Sequence, residues 1–429
     1  MFGFWRTALL FTVSCAPVPS RAPQPNVLFI SIDTLRADHL GAYGYTRPTS
    51  PRLDAFAKTA IVFDQAQSSS SWTLPSLASL MTSLYPSTHG RGGWNLETKL
   101  DESFQTLAEV LRNAGYDTSV VASQVFQSDR FGLQQGFTHV DTRTLQTEAN
   151  STSPEITQRG VEWLTDKAAV HDGVPWFLWL HYFDPHELYL RHPGYTEQFE
   201  HVVGADEMDV YDGEIAYTDH AVGDLLDELE RLRLADDTVV VVIADHGEEF
   251  GEHGEWRHGY DLYQEVVHVP LIVRAPGMVS HRVERVVASV DVMPTLLDLC
   301  GVSIDFAIEG RSFLPLMRGE SQPEREAMSE LQWHKKDMRS LRVADWKYIA
   351  QPIGKAMRTQ LYDLAHDPFE CTDTTLVFPD ESSTMNATLA RKRQRADELK
   401  RGYGVSESSH LSAGEKAQLK KLGYVGDDE

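Results

Sequence analysis

Five short apolar runs constrain this chain more than any other feature of its sequence. They are Val27–Ile32 (VLFISI), Ser119–Ala122 (SVVA), Trp176–Leu180 (WFLWL), Thr238–Ala244 (TVVVVIA) and Leu271–Val273 (LIV). A strand with one face in water alternates apolar and polar residues, whereas a run without alternation is buried on both faces. Helical patterns lie between the runs. Ser103–Asn113 stops at Ala114-Gly115, and Glu214–Leu234 sets Ile215, Val222, Leu225, Leu226 and Leu229 near helical spacing. Strands alternating with helices predict an α/β fold, a mostly parallel sheet sandwiched by helices. From about Gly319 charge rises and continuous apolar runs thin out. A smaller C-terminal α+β unit is expected there. Ser340–Ala350 and Gln360–Leu364 read as a hairpin-like pair, and Thr388–Lys400 and Ala413–Leu422 as charged helices. The expected division is a leader over 1–22, an α/β domain over 23–318 and the α+β unit over 319–429.

Lys plus Arg number 39 against 63 Asp plus Glu, a net charge of −24. A nucleic-acid-binding role needs a basic face and is not expected. Three cysteines exclude a disulfide-rich scaffold and a four-cysteine zinc site. Pairing of Cys300 with Cys371 and two free thiols both stay open. The first twenty residues carry Arg6, a short apolar run over Ala8–Val13, then Ser14-Cys15. This reads as an export signal, and as a bacterial lipoprotein signal if Cys15 is the lipid-anchored residue. The expected location is periplasmic, or the cell surface or outer membrane as a lipoprotein. No stretch reaches the roughly 18 apolar residues of a membrane helix.

Three buried runs end in polar clusters: Asp33-Thr34 after the first, His181 and Asp184-Pro185-His186 at the third, and Asp245-His246-Gly247-Glu248 at the fourth. Ligands of open α/β sheets bind at the carboxyl ends of strands. If these strands are parallel neighbours, the clusters meet at one edge. His246, His253, His258 and His268 fall close together, suiting a metal or catalytic site or a plain polar loop. In Ser68–Gly90, Pro75 suits a first helical turn, and Leu77, Leu80, Met81 and Leu84 fit one apolar face. Thr73 then sits at or near the helix start, as a capping residue or as a nucleophile beside the positive end of the dipole.

Ordered segments along nearly the whole chain resemble the sulfatase family of the alkaline phosphatase superfamily. They are Asn26–Tyr45 (NVLFISIDTLRADHLGAYGY), Trp72–Gly90, His181–Tyr189 (HYFDPHELY), Ile243–Gly259 (IADHGEEFGEHGEWRHG), Val269–Gly277, Val290–Val302, Glu309–Gly319, Leu361–Glu370 and Leu419–Val425 (LKKLGYV). The resemblance implies an alkaline-phosphatase-like sheet and a hydrolase of anionic esters. It implies that Asp33, Asp245, His246 and Thr73 surround one divalent metal ion, with Thr73 at the nucleophile position. It further implies that His186 contacts the substrate or protonates its leaving oxygen, and that His258 stands where the family often has Lys. Arg36, His181 and Arg257 are further substrate-contact candidates.

The departures have a direction. Family sulfatases oxidise a Cys or Ser within Cys/Ser-x-Pro-x-Arg to formylglycine. Here the motif is Thr73-Leu74-Pro75-Ser76-Leu77, so no formylglycine is expected. Thr34 replaces a second Asp, His246 replaces Asn, and no Lys stands near Val120–Phe126. A His ligand favours zinc or manganese, with calcium still open. A threonine hydroxyl suits direct attack on phosphorus as in related phosphoryl transferases. The expected function is hydrolysis of sulfate esters. Phosphomonoester or phosphodiester hydrolysis through Thr73 is the alternative, and a degenerate non-catalytic binding protein the second. The expected partner is an anionic small molecule, glycan or lipid ester.

Overall fold

The computed structural model describes residues 24–92, 96–121, 123–143, 152–170, 172–200, 206–333, 336–404, 411–421 and Tyr424. The leader, and with it the expected anchor at Cys15, lies outside the described residues. Among those described, no helix is long and apolar enough to cross a membrane.

The five apolar runs all fall on strands of one eight-stranded sheet. In chain order its strands are β1 (Asn26–Ile32), β2 (Ile61–Gln67), β3 (Asp117–Val121), β4 (His139–Asp141), β5 (Trp176–Tyr182), β6 (Thr238–Ala244), β9 (Leu271–Arg274) and β10 (Arg282–Ala288). A two-stranded ribbon, β7 (Glu249–Phe250) and β8 (Trp256–Arg257), stands apart. The spatial order is β10-β2-β9-β6-β1-β5-β3-β4. All pairings are parallel except those of β9, which runs antiparallel to β2 and β6. Burial explains the missing alternation: β5 and β6 are buried at every residue. β2 and β10 were not anticipated. Asp64-Gln65 and Glu284-Arg285 interrupt them, and β10 lies at the edge of the sheet, where Arg282, Glu284 and Arg285 meet solvent.

Helices flank the sheet. Ser153–Val170 packs on Glu207–Arg231, whose Ile215, Val222, Leu225, Leu226 and Leu229 are buried as their spacing predicted. Gly160 permits this approach, since a Cβ there would stand 3.0 Å from a methyl of Leu225 and 3.1 Å from Leu180. The helix expected over Ser103–Asn113 starts later, at Leu107, because Thr106 and Glu109 form a reciprocal cap.

The C-terminal part is an antiparallel sheet of β11 (Glu326–Trp333), β12 (Lys336–Val343), β13 (Trp346–Ile353) and β14 (Ala356–Asp363). Ser340–Ala350 is itself a hairpin, turning at Ala344 with φ 46°, and Gln360–Leu364 belongs to the next strand. Helix Pro379–Lys400 lays Met385 and Leu389 over Met328, Leu341, Tyr348 and Leu361. Leu331, Trp333, Met338, Ile349 and Tyr362 join the main core, so the two sheets share one apolar interior. Cys300 is buried, Cys371 is exposed, and both are free thiols.

Candidate active site

Three neighbouring parallel strands end at one level. Ile32 pairs with Tyr182 of β5 and with Ala244 of β6. The next residue of β1 is Asp33, the next of β6 is Asp245, and His181 is one residue from the end of β5. The clusters therefore meet at one sheet edge, as the sequence pattern required of parallel neighbours.

Each acidic residue there is held by one oxygen and aimed by the other. Asp33 Oδ2 accepts from Gln124 Nε2 at 3.1 Å and faces His181 Nε2 at 3.3 Å. Its Oδ1 lies 3.4 Å from both Thr73 Oγ1 and His246 Nε2. Asp245 Oδ1 accepts from the amides of His246 at 2.9 Å and Thr34 at 3.3 Å. Among the described residues its Oδ2 has no hydrogen-bond partner, and it stands 3.5 Å from His246 Nε2. His246 Nδ1 donates to the carbonyl of Gly247 at 2.9 Å, so Nε2 carries the lone pair. Thr73 Oγ1 lies 3.1 Å from that nitrogen. Three fully buried ligand atoms and one hydroxyl thus converge with their negative sides inward. Burial pushes Asp33 up to about 7 and, with the Asp33 charge, raises Asp245 well above the carboxylate range. Without a cation such an arrangement is costly. The donor set fits a divalent metal ion.

His181 is a support for Asp33. Trp179 Nε1 donates to Ser31 Oγ at 2.8 Å, and Ser31 Oγ meets His181 Nδ1 at 2.8 Å. With Nδ1 accepting, the Nε2–H points at Asp33. Burial lowers this imidazole to about 4, so it stays neutral. Thr34, after the first ligand, takes φ 53°, a rare conformation for a β-branched residue. The Tyr211 hydroxyl pins the turn, donating to the Thr34 carbonyl at 2.7 Å and accepting from the Arg36 amide at 3.0 Å.

Thr73 opens helix Thr73–Thr82, with Trp72 as the capping position and Pro75 in the first turn. Leu77, at the motif's usual Arg position, is fully buried in the core. His186 and His258 face Thr73 across a small gap. His186 Nδ1 donates to the Glu187 carbonyl at 2.6 Å, leaving an Nε2 lone pair, and burial together with His258 lowers its pKa well below normal. His258 is the opposite case. Burial works against its charge, but Glu248, 2.8 Å from Nδ1, together with the charges of Glu187 and Asp33 lifts it to about 9. Its Nε2–H points into the gap.

Other candidates are placed elsewhere. The Arg36 guanidinium is spent on Asp38 at 2.8 Å, Glu252 at 2.6 Å and the Glu248 carbonyl at 3.0 Å. Arg257 is half-exposed beside Glu187, 2.5 Å away. Asp184 caps helix Ser153–Val170 through the amides of Thr152 and Ser153, both 2.6 Å away. His268 Nε2 donates to the Asp64 carbonyl at 2.8 Å, away from the site. Three residues were given no role of their own by the sequence reading. Gln124 follows β3, where only a Lys was sought. Glu248 holds His258. Tyr424 places its hydroxyl 3.1 Å from Thr73 Oγ1.

His253 also lies outside the site. It stacks on Tyr263 with ring centres 3.7 Å apart and bonds Glu265. Burial lowers its pKa, but Glu265 and Glu370 together raise it to about 9 from 6.5. A raised histidine stabilises the fold fully below its unfolded pKa, and that contribution is lost as pH rises through its folded pKa. Between pH 6.5 and 9 the wild type should therefore lose thermal stability more steeply than His253→Gln. Parallel melting curves of the two proteins would contradict this.

Residues 25–302 match the family described as Sulfatase, and residues 251–398 match N-sulphoglucosamine sulphohydrolase, C-terminal. The chain belongs to the sulfatase family. It is accordingly an ester hydrolase of that family, acting on sulfate esters; the family is metal-dependent, and Asp33, Asp245 and His246 form a possible metal site here. It is 24% identical to "Arylsulfatase K" of Gallus gallus over 87% of this chain and 83% of that one. It is 26% identical to "Choline-sulfatase" of Rhizobium meliloti (strain 1021), over 82% of each. The fold is also that of the phosphonate monoester hydrolase of Agrobacterium radiobacter, with TM-score 0.71 and 20% identity over 87% of this chain and 96% of that one.

Proposed function

We propose that this sulfatase-family member uses Thr73 itself, unoxidised, as its nucleophile, and that Asp33, Asp245 and His246 hold a zinc ion beside it. One observation carries the reading: Thr73 Oγ1 lies within 3.1–3.4 Å of two of the three ligand atoms, His246 Nε2 and Asp33 Oδ1. The separations are 3.1 Å from Thr73 Oγ1 to His246 Nε2, 3.4 Å from Asp33 Oδ1 to each of these, and 3.5 Å from His246 Nε2 to Asp245 Oδ2. A tetrahedron with zinc-like bonds of about 2.0–2.2 Å has edges of roughly 3.3–3.6 Å. Calcium takes about 6–8 oxygen ligands and has no use for the His246 nitrogen. When bound, the ion supplies positive charge that acidifies the Thr73 hydroxyl and offsets the anionic ester.

The remaining roles depend on proton positions. The His186 Nε2 lone pair takes the Thr73 proton as the oxygen attacks sulfur. The bond from sulfur to the leaving oxygen breaks, and His258 gives its Nε2 proton to that oxygen. Water then attacks the Thr73 ester and passes a proton to His258, while His186 returns one to Thr73. The family resemblance assigns the leaving-group proton to His186; the proton placements support His258 instead.

Phosphate esters are the second reading, supported by a threonine at position 73 and a nitrogen ligand. The deciding experiment is turnover of matched aryl sulfate and aryl phosphate esters by protein reconstituted with zinc, manganese or calcium. Zinc-dependent sulfate turnover is expected. A strong phosphate preference would move the assignment to the second reading, and best activity with calcium would refute the zinc site.

A further inference from the structure

Asp33 is followed by a turn that its own residues disfavour. The Asp33 amide still bonds the Tyr182 carbonyl of β5 at 2.8 Å, and the next residue, Thr34, has φ 53°. A β-branched side chain is strained in this left-handed conformation, where glycine is at ease. The turn has one visible use. It swings the Thr34 amide onto Asp245 Oδ1 at 3.3 Å, and so joins the end of β1 to the second carboxylate. The Thr34 hydroxyl is buried and, among the described residues, has no hydrogen-bond partner. Thr34 serves the site through its backbone.

One side chain from a distant helix closes that turn. The Tyr211 hydroxyl donates to the Thr34 carbonyl at 2.7 Å and accepts from the Arg36 amide at 3.0 Å, so a single oxygen spans the bend on both sides of Leu35. The phenol is fully buried, with ring centres of Phe250 at 5.0 Å, His39 at 5.2 Å and Tyr189 at 5.8 Å. Its helix, Glu207–Arg231, is fastened at the very next residue. Asp212 accepts from His39 Nδ1, the Tyr45 hydroxyl and Arg47 Nη1, each at 2.7 Å. The oxygen that reaches Thr34 is therefore fixed by packing and by hydrogen bonds of its own helix.

We infer that Tyr211 is a positioning residue of the metal site: its hydroxyl holds Thr34 in the left-handed turn that keeps Asp33 and Asp245 converged, and thereby sets the affinity for the ion. The inference rests on Asp33, Asp245 and His246 being the metal ligands. Without the hydroxyl, the buried Thr34 carbonyl and Arg36 amide lose their partner, and the β-branched residue relaxes toward negative φ. Asp33 and the amide that holds Asp245 Oδ1 then move together. Groups that orient metal ligands from behind carry roughly 10–100-fold in metal affinity.

The test is the zinc affinity of the full-length protein, measured by competition with a chromophoric chelator, in wild type, Tyr211→Phe, Thr34→Gly and the double variant. Tyr211→Phe should bind zinc at least about tenfold more weakly than wild type. Glycine takes a positive φ without steric cost, so Thr34→Gly should stay within about threefold of wild type, and adding Tyr211→Phe to it should cost less than about threefold more. That rescue separates positioning from a general loss of stability. Tyr182→Phe removes another fully buried hydroxyl, bonded to Thr157 at 2.8 Å, and should leave zinc affinity unchanged. If Tyr211→Phe alone does not fold, the double variant carries the test: it should fold and bind zinc like Thr34→Gly, and its failure to do so would overturn the inference. So would unchanged affinity in Tyr211→Phe, an equal loss in Tyr182→Phe, or an equal loss with and without Thr34→Gly. A wild type that takes neither zinc, manganese nor calcium from the chelator marks failure of the metal-ligand reading itself, and shows before any variant is compared.

Discussion

Thr73→Ala should lower kcat by about 10⁴-fold or more, in line with removal of other covalent nucleophiles. KM should change little, because the substrate anion is held mainly by the ion and the histidines. Thr73→Ser keeps an oxygen at the same place and should retain measurable turnover. The side chain is fully buried, so loss of one methyl group in the serine variant costs packing as well as orientation. Steady-state kinetics on an aryl ester, with zinc content measured for each variant, separates the two effects. An alanine variant that binds zinc normally and turns over within tenfold of wild type would remove Thr73 from the mechanism.

Chelation of the ion should destabilise the protein by about 4 kcal/mol when the ion had been present at a thousandfold over its Kd. The physical source is visible in the site. Asp33 and Asp245 are fully buried, and among the described residues Asp245 Oδ2 has no hydrogen-bond partner. Asp245→Asn should abolish both activity and the response to chelator. It should also make the metal-free protein more stable than metal-free wild type, because a buried carboxyl that is satisfied at Oδ1 only, and that burial drives to take up a proton, becomes a neutral amide. Urea unfolding with and without chelator measures all of this. Wild-type curves that coincide would mean that no tightly held ion contributes to the fold.

Most of the catalytic floor is legible in the sequence. Val27–Ile32 and Thr238–Ala244 had to be strands buried on both faces, and both end in carboxylates. The spacing of Pro75 and the leucines after it put Thr73 at a helix start. These are local facts, set by chain periodicity and by the polar residues at the end of each run. β2 and β10 escaped because their polar residues mimic loop composition; β10 tolerates them as an edge strand, and in β2 Asp64 and Gln65 are only partly buried. Arg36 looked like a substrate ligand from its place three residues after Asp33. Its guanidinium instead meets Glu252 and Glu248, which are distant in sequence.

Charge state and occupancy required the tertiary structure. The sequence does not show the protonation state of His186 or His258, yet one donates to its neighbour's carbonyl and stays neutral, whereas the other pairs with Glu248 and carries a proton. Nothing local distinguishes them, since an imidazole's protonation depends on partners brought together by folding. Tyr424 is 351 residues from Thr73 in the chain, yet their oxygens are in hydrogen-bond contact. The sequence by itself determined which residues could act, because strand and helix periodicity are local. Only the tertiary structure decided which proton each one holds and which side chain fills the gap between them, because burial and long-range contact belong to the folded chain.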